Sequence, residues 1–392
     1  MSLWIEDPAE LAARLRAAPP RVGLDTEFVR ERTWWPKLAL VQVALEGGDI
    51  LLVDTLAPGI AEALAPMLAD PAVLKVMHSA SEDLVALKHT CGVVPAPLFD
   101  TQVAAALAGV AAGAGYQRLV QDLLGVALPK GETRSDWLRR PLSAAQLEYA
   151  ADDVLHLFAL HDLLSEKLVA LGRDGWLRED AERTLAAASD DALERWPHLS
   201  MRSAQFLDAA AQHRLLRLLR WRDDHARRTD RPRSWILDNE LATALARKPP
   251  ADRAALQRQL EATPKSPRAL GDAIWAALDT PLPDEADAPL ARADDRDKAR
   301  MRGLQDAVSA VSADLGLPDG VLASRRWLQA LLDARADGIA EWPGPLSGWR
   351  RAVLEPRLAP LLAAPAPSGT TAPPVPGGSA SGPAGDVPPA SV

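Results

Sequence analysis

The stretch VGLDTEFVRERTWWPKLALVQVAL, residues Val22 to Leu45, carries two acidic side chains inside an apolar segment. Asp25 and Glu27 are two positions apart, so on a β-strand both side chains point to the same face. Two ionised carboxylates side by side repel each other, and their burial is costly. A divalent cation removes that cost, and hard oxygen ligands suit Mg²⁺ or Mn²⁺. The alternative is an edge strand with a charged polar face, and the stretch alone does not decide between the two.

The composition indicates a soluble chain with more than one domain. Its 392 residues exceed one ordinary core, and its net charge of -9 leaves room only for a local basic face. Cys91 is the single cysteine, which excludes a disulfide framework and a cysteine-based zinc site. No apolar run reaches the ~20 residues of a membrane span, and the acidic N-terminus has no basic-then-apolar signal. We therefore expect a cytoplasmic monomer without membrane or disulfide partners.

Strand and helix patterns alternate in the first part of the chain, whereas the rest is helical. RVGLDTEF, LALVQVAL and DILLVD read as three strands whose short separations predict antiparallel neighbours. The segment from Ser143 to Gly172 predicts one helix with these two residues as its caps. We expect an α/β domain with a mixed sheet over residues 1–175. Helical modules should follow over residues 195–282 and 296–364, and a disordered tail rich in Pro, Gly, Ala and Ser over residues 365–392.

Two later segments carry acids among apolar residues. Asp83, in MHSASEDLVAL, falls in the first turn of a predicted helix just after a buried strand. A helix favours an acid there in any case, so Asp83 is either a helix-terminal charge or a third metal ligand. Tyr149 and Asp153, in LEYAADDVLHLFAL, are four positions apart and share one helical face. Asp153 is either a surface acid beside a core tyrosine or a partly buried acid that needs a partner.

The ordered series D-x-E, D and Y-x-x-x-D resembles the DEDD exonuclease superfamily, in its tyrosine subgroup. More narrowly, it resembles the ribonuclease D family through VGLDTEFVRERTWWPKLALVQVA, HSASEDL, LFDTQVAAAL and PKGETRSDWLRRPLSAAQLEYAADDV. Residues 195–282 resemble the helicase-and-ribonuclease-D C-terminal (HRDC) domain, and residues 296–364 look like a second, more divergent copy. The resemblance implies a ribonuclease-H-like, mixed-sheet 3′→5′ exonuclease domain followed by all-α HRDC domains that help to hold RNA.

This resemblance also implies an activity, a cofactor and roles for the acidic residues. The activity is that of a metal-dependent 3′→5′ exoribonuclease that trims tRNA precursors and other structured RNAs and releases nucleoside 5′-monophosphates. Two divalent ions, Mg²⁺ or Mn²⁺, would bracket the scissile phosphate. Tyr149 would position the attacking water, because its ordinary pKa near 10 makes it a poor base at neutral pH. The carboxylates that would hold the ions are Asp25, Glu27, Asp83 and Asp153.

Two other functions stay open at the level of sequence. One is a 3′→5′ DNA exonuclease with the same chemistry, because the contact to the 2′-hydroxyl that separates RNA from DNA is not visible in a sequence. The other is a non-catalytic RNA-binding scaffold. The presence of all four carboxylates and the tyrosine counts against the scaffold.

Basic and aromatic residues in three segments are candidates for RNA contact. In RERTWWPK the cations could meet phosphates, and the two tryptophans either stack on a terminal base or pack against the protein. KGETRSDW lies just before the last helix of the first domain, and the first HRDC-like module has an arginine-rich helix. The residues predicted to contact RNA are Arg30, Arg32, Trp34, Trp35, Lys37, Lys130, Arg134, Arg214, Arg217 and Arg220.

Overall fold

The computed structural model describes residues 1–16, 20–129, 131–132, 135–292, 298–336 and 338–363. We divide these ranges into an N-terminal domain (residues 1–189), a middle module (residues 197–291) and a C-terminal module (residues 298–363). The predicted tail, residues 365–392, and two of the predicted RNA contacts, Lys130 and Arg134, lie outside the described residues. None of the helices in the described ranges combines the length and the apolarity that a membrane-spanning helix requires.

Strands of the N-terminal domain form one mixed sheet. Within the described ranges it has six strands in the order β1-β4-β3-β2-β5-β6. The predicted antiparallel arrangement of β2, β3 and β4 is confirmed, while β1 is parallel to β4, and β5 is parallel to both β2 and β6. The strands are β1 (Ser2–Ile5), β2 (Arg21–Val29), β3 (Lys37–Ala44), β4 (Ile50–Asp54), β5 (Leu74–Met77) and β6 (Leu98–Asp100).

Helices cover both faces of this sheet. α1, α2 and α3 bury one face together with Leu24 of β2, and α4 to α7 bury the other. Because side chains alternate along a strand, Asp25 and Glu27 face the side opposite to Leu24, which is the side where α6 packs on β2, β3 and β4. The helices are α1 (Pro8–Leu15), α2 (Ile60–Ala69), α3 (Ser81–Cys91), α4 (Thr101–Leu107), α5 (Tyr116–Leu124), α6 (Ala144–Leu155), α7 (Leu157–Ala170) and α8 (Asp174–Ser189).

The predicted single helix from Ser143 to Gly172 is two helices. Its start is as expected, because the Ser143 side chain and Gln146 form a reciprocal capping box. The helix is interrupted at His156, whose backbone N–H donates to the hydroxyl of Tyr116 at 2.9 Å instead of continuing the α6 ladder. Tyr116 stands forty positions earlier in the chain, so local sequence could not have shown this break.

The middle module is helical and has its own core. Its apolar residues, among them Leu215, Leu219, Leu245 and Ile274, form a cluster separate from those of the sheet. Short 3₁₀ helices (Pro197–Ser200, Arg202–Phe206) lead into it. Its helices are α9 (Ala209–Arg228), α10 (Arg233–Ile236), α11 (Asn239–Arg247), α12 (Arg253–Ala262) and α13 (Gly271–Asp279).

The C-terminal module shares its core with the N-terminal domain. Leu304, Leu331 and Leu354 belong to the same buried cluster as Leu160 and Leu164 of α7. The predicted domain boundary at residue 175 falls inside α8, which packs on α3, α4 and β6. We therefore propose residue 189 as the end of the first domain. The helices of the C-terminal module are α14 (Lys298–Asp314), α15 (Arg325–Ala336) and α16 (Trp349–Ala363).

Candidate active site

Three carboxylates meet where α6 crosses the central strand β2. Asp25 and Glu27 project from β2 opposite Gln42 and Leu40 of β3, with a register shift directly after Glu27. Asp153 comes from α6. One oxygen from each of the three carboxylates lies within 4.8 Å of the others, close enough for a shared cation. β2 lies between β3 and β5 in the sheet, so the edge-strand alternative for this stretch is wrong.

Asp83 lies beside this group at the start of α3. β5 pairs only with residues Arg21–Gly23 of β2, which leaves the next part of β2 open to the helix that follows β5. The Asp83 side chain is buried, and its Oδ1 accepts a hydrogen bond from the Thr26 hydroxyl. Its charge raises the pKa of both Asp25 and Glu27. The structure therefore brings three of the predicted ligands together and places the fourth as their close neighbour.

Burial raises the pKa of each of these acids, and repulsion within the group raises the pKa of Asp25 and Glu27 further. Desolvation is the largest cause at Asp25, where the charges of Asp83, Asp153 and Glu27 raise the pKa further. Burial followed by the charges of Asp153 and Asp83 raises the pKa of Glu27 to about 9. Burial likewise raises the pKa of Asp83 to about 7 and that of Asp153 to about 7. Such oxygen donors ionise together only beside positive charge, so the set fits divalent cations such as Mg²⁺ or Mn²⁺.

Tyr149 stands one helical turn before Asp153 and interacts with it. The tyrosine side chain lowers the pKa of Asp153, opposing the larger effect of burial. Burial and the charges of Asp153 and Glu27 raise the pKa of the Tyr149 phenol, so at neutral pH it keeps its proton. A protonated phenol can donate a hydrogen bond but cannot act as a base, which fits a role in orienting a water molecule.

The loop before α6 holds the Tyr149 ring from two sides. The Trp137 ring lies 6.1 Å from it, centroid to centroid, and Trp137 is almost fully buried. On the other side, a Cβ added to Gly131 would lie 1.7 Å from a ring carbon of Tyr149, so the backbone itself touches the ring. The side chain of Tyr149 is therefore fixed in direction before substrate arrives.

Tyr116 belongs to the same region but was not predicted from the sequence. Its buried phenol has a raised pKa, chiefly from desolvation and also from the charges of Asp153 and Asp25. Its hydroxyl accepts the His156 N–H just past Asp153, and so it ends α6 close to the carboxylate group. The only sequence signal was rarity, because Tyr116 and Tyr149 are the only two tyrosines of the chain.

The two tryptophans of the loop after β2 pack against the middle module. Their backbone N–H groups both donate to Asp230 Oδ1 at 3.0 Å. The Trp35 ring stacks on the His89 ring with 4.6 Å between the centroids, and the Arg227 guanidinium lies over the Trp35 ring. The Arg233 guanidinium lies over the Trp34 ring, 4.4 Å from its centroid. Between the two readings left open by the sequence, this geometry favours packing over base stacking.

The cations of the same loop differ in their surroundings. Arg30 donates to Glu82 at 2.6 Å and to the Trp34 carbonyl at 3.0 Å. Arg32 and Lys37 are exposed. The structure thus leaves two of these three side chains directed to solvent, where they can meet phosphates.

The three arginines of α9 that we predicted to contact RNA are used inside the middle module, which corrects that expectation. Arg214 donates to the Ala246 carbonyl at 2.8 Å. Arg217 is paired with Glu285, and Arg220 is paired with Asp284 at 2.7 Å and lies over the Trp196 ring. The carboxylate partners of Arg217 and Arg220 come from the acidic segment after α13, which folds back on α9. Guanidinium groups held in this way are not free to neutralise phosphates.

Comparison with protein families and curated sequences agrees with this architecture. Residues 4–169 match the family model described as 3′-5′ exonuclease, and residues 211–278 match the HRDC domain. Ribonuclease D of Xanthomonas oryzae pv. oryzae is 61% identical over 366 residues, which cover 93% of this chain and 99% of that one. Ribonuclease D of Pseudomonas paraeruginosa is 36% identical, covering 89% of this chain and 94% of that one.

Solved structures give the same result. Escherichia coli RNase D, described as an exoribonuclease involved in structured RNA processing, matches with a TM-score of 0.80 and 29% identity over 92% of this chain and 98% of that one. The catalytic core of RRP6 from Trypanosoma brucei shares the fold at a TM-score of 0.54 and 20% identity. With the fold, the carboxylate group and full-length relatives in agreement, the chain belongs to the ribonuclease D family of 3′→5′ exoribonucleases.

Proposed function

We propose that this exoribonuclease uses two divalent ions, Mg²⁺ or Mn²⁺, to trim the 3′ ends of tRNA precursors and other structured RNAs. The products would be nucleoside 5′-monophosphates. The convergence of Asp25, Glu27 and Asp153 within 4.8 Å is the observation that carries the proposal. Structured RNA as substrate is supported by the description of the Escherichia coli relative. The tRNA precursors rest on the family resemblance of the sequence.

Each side chain of the site has a role that follows from its surroundings. Asp25, Glu27 and Asp153 would hold the ions, and Asp83 would join them from the start of α3. When bound, the ions supply the positive charge that polarises the phosphate and acidifies the attacking water. Tyr149, protonated and held by Gly131 and Trp137, would orient that water through its hydroxyl group. Partial burial of the set limits the access of competing solvent and restrains the four acids.

Asp153 and Asp152 provide a matched pair for testing the catalytic assignment. Asp153→Asn removes one predicted ligand and should lower kcat by at least about 100-fold, a loss of about 2.7 kcal/mol of transition-state stabilisation. Asp152→Asn makes the same chemical change one residue away, about 100° around α6. We expect it to stay within about threefold of wild type, since it is not in the carboxylate group.

A 3′-extended tRNA should be incubated with each variant in Mg²⁺, Mn²⁺ or EDTA and resolved on a sequencing gel. Stepwise shortening from the 3′ end that EDTA abolishes is the expected result. Internal cuts, or undiminished trimming by Asp153→Asn, would overturn the proposal. Matched DNA and RNA oligonucleotides in the same assay separate the exoribonuclease from a DNA exonuclease. That the protein is a cytoplasmic monomer, and that residues 296–364 are a second HRDC-like domain, remain predictions from the sequence.

A further inference from the structure

A cleft of about 840 Å³ opens where the loop after β2 meets the middle module. We call it the joint cleft. The N-terminal domain contributes Arg30, Thr33 and Trp34 to its wall. The opposite wall comes from the 3₁₀ helices and the residues just before them, from α9, and from the segment after α9. The lining residues of that second wall that matter for the argument are Glu194, Arg202, Arg222, Asp223 and Arg233.

Positive charge dominates the joint cleft although the protein as a whole is acidic. Four arginines line it against two carboxylates, in a chain with a net charge of -9. One of those carboxylates, Asp223, is buried and paired with Arg222 at 2.9 Å and Arg233 at 3.2 Å, so its charge is already compensated. Arg202 is exposed and has no partner within the part of the chain that the structure describes. A local basic surface of this kind attracts polyanions.

The carboxylate group does not line the joint cleft, but one wall of the cleft is close to it along the chain. Arg30 follows Glu27 by three residues, which is about 10 Å along an extended chain. Its guanidinium donates to Glu82, the neighbour of Asp83, at 2.6 Å. A nucleic acid strand whose 3′ end lies among the carboxylates would therefore have its preceding nucleotides near this wall.

Two large aromatic side chains are exposed next to the lining residues. Phe206 ends the 3₁₀ helix that Arg202 begins and is 68% exposed, and Trp235 follows the lining residue Ser234 and is 56% exposed. Next to cations they can stack on unpaired bases, which an RNA duplex does not offer.

We propose that the joint cleft binds the single-stranded RNA segment that precedes the 3′-terminal nucleotide. Arg202 contacts its phosphates, and Phe206 and Trp235 offer stacking faces to its bases. Arg30 and Arg233 are already paired with Glu82 and Asp223, but their side chains are 39% and 52% exposed, so they add positive charge at the walls of the cleft. The inference rests on the proposed function for the identity of the ligand. It assigns the HRDC contribution to this face, and not to Arg214, Arg217 and Arg220, which are paired internally.

Arg202→Gln tests the joint cleft, with Arg258→Gln as the matched control. Arg258 is also an exposed arginine of the middle module, but it lies on α12 and does not line the cleft. Steady-state kinetics on single-stranded oligoribonucleotides of three and sixteen nucleotides should show a KM for the longer one raised about fivefold to tenfold by Arg202→Gln, with kcat unchanged. The three-nucleotide substrate should be unaffected. The slope of log affinity against log salt should fall by about 1.

Binding to catalytically disabled protein keeps this test apart from the proposed function. Fluorescence anisotropy with the sixteen-nucleotide RNA, on Asp153→Asn protein with and without Arg202→Gln, should show the same fivefold to tenfold weakening. If the wild type does not trim RNA but this weakening is found, the proposed function fails and the RNA site stands. Equal affinities for the Arg202 and Arg258 variants overturn the joint cleft as an RNA site. Equal losses on the short and the long RNA also overturn it, because they place the effect at the catalytic centre.

Discussion

The middle and C-terminal modules are both small helical units, but they are attached to the N-terminal domain in different ways. The middle module has its own apolar core and touches the domain through a polar joint, in which Asp230 accepts the N–H groups of Trp34 and Trp35. The C-terminal module has no such independence, because Leu304, Leu331 and Leu354 belong to the apolar core of the domain itself.

A buried ion pair also attaches the C-terminal module to the N-terminal domain. Asp180 of α8 is 8% exposed and accepts two hydrogen bonds from Arg350, at 2.6 and 2.8 Å, and one from the Trp349 indole at 3.0 Å. The rings of Trp176 and Trp349 stack at 4.3 Å beside it.

The difference between the two attachments shows that the order of modules along the chain is a poor guide to the physical domains. The last module in the chain is part of the first domain, and the module between them is a separate lobe.

Removal of the buried acid Asp180 should have the largest effect on stability and tests the shared core most directly. Asp180→Ala leaves the Arg350 guanidinium buried without its carboxylate, so we expect a loss of about 3–5 kcal/mol in the free energy of unfolding. Chemical denaturation should show the N-terminal domain and C-terminal module losing stability together. The control is Asp174→Ala on the same helix, where an exposed pair with Arg178 contributes less than about 1 kcal/mol. Equal effects of the two variants would contradict the shared core.

Loss of the polar joint should loosen the middle module without unfolding either core. Asp230→Ala removes the acceptor of two backbone N–H groups. This should weaken the contact between the middle module and the N-terminal domain by about 1–3 kcal/mol. Hydrogen exchange at Trp34 and Trp35 should accelerate, while the unfolding midpoint of the middle module should fall only by the backbone strain of an alanine at the positive φ of this position. Asp230→Asn should recover part of the protection, because it keeps an oxygen acceptor and tolerates the φ of +48° at this position. Asp224→Ala, which removes an exposed pair with Arg228, serves as the control.

A smaller, pH-dependent effect on stability should distinguish the N-terminal domain from the middle module. In the folded chain without metal, the pKa values of Asp83, Asp153 and Glu27 lie above the ordinary values near 4. The folded state then binds more protons than the unfolded state, so stability falls as the pH rises from about 4 through the Glu27 pKa of about 9. In EDTA, the melting temperature of the N-terminal domain should decrease from pH 5 to pH 9, and Mg²⁺ should reduce the decrease.

Asp153→Asn serves as the control for that titration, because it removes one of the repelling charges from the carboxylate group. Its decrease in melting temperature between pH 5 and pH 9 should be smaller than that of the wild type. A melting temperature that rises over this range in EDTA would contradict the raised pKa values. The middle module, which holds none of the four acids, should show no comparable dependence.

Sequence was sufficient wherever the determining contacts were local. The spacing of Asp25 and Glu27 gave their common face, and the Ser143 cap gave the start of α6. The antiparallel order of β2, β3 and β4 followed from the short turns between them. In each case the physical cause lies within a few residues of its effect.

Distant contacts account for what the sequence did not show. The break at His156 depends on Tyr116, and the position of Trp34 and Trp35 depends on Asp230, almost two hundred residues later. Arg217 looked like an RNA contact because its partner, Glu285, is sixty-eight positions away. A basic helix in a sequence carries no information about which acids will fold back on it.

The shared core also bears on how the catalytic unit can be isolated. A fragment that stops after α8 would leave Asp180 buried without Arg350 and the Trp176 ring without Trp349. Such a fragment should aggregate when it is expressed, although it contains every proposed catalytic residue. We therefore expect the minimal nuclease to be discontinuous in the chain, with the middle module as an insertion. Deletion variants should excise that insertion and keep the C-terminal helices.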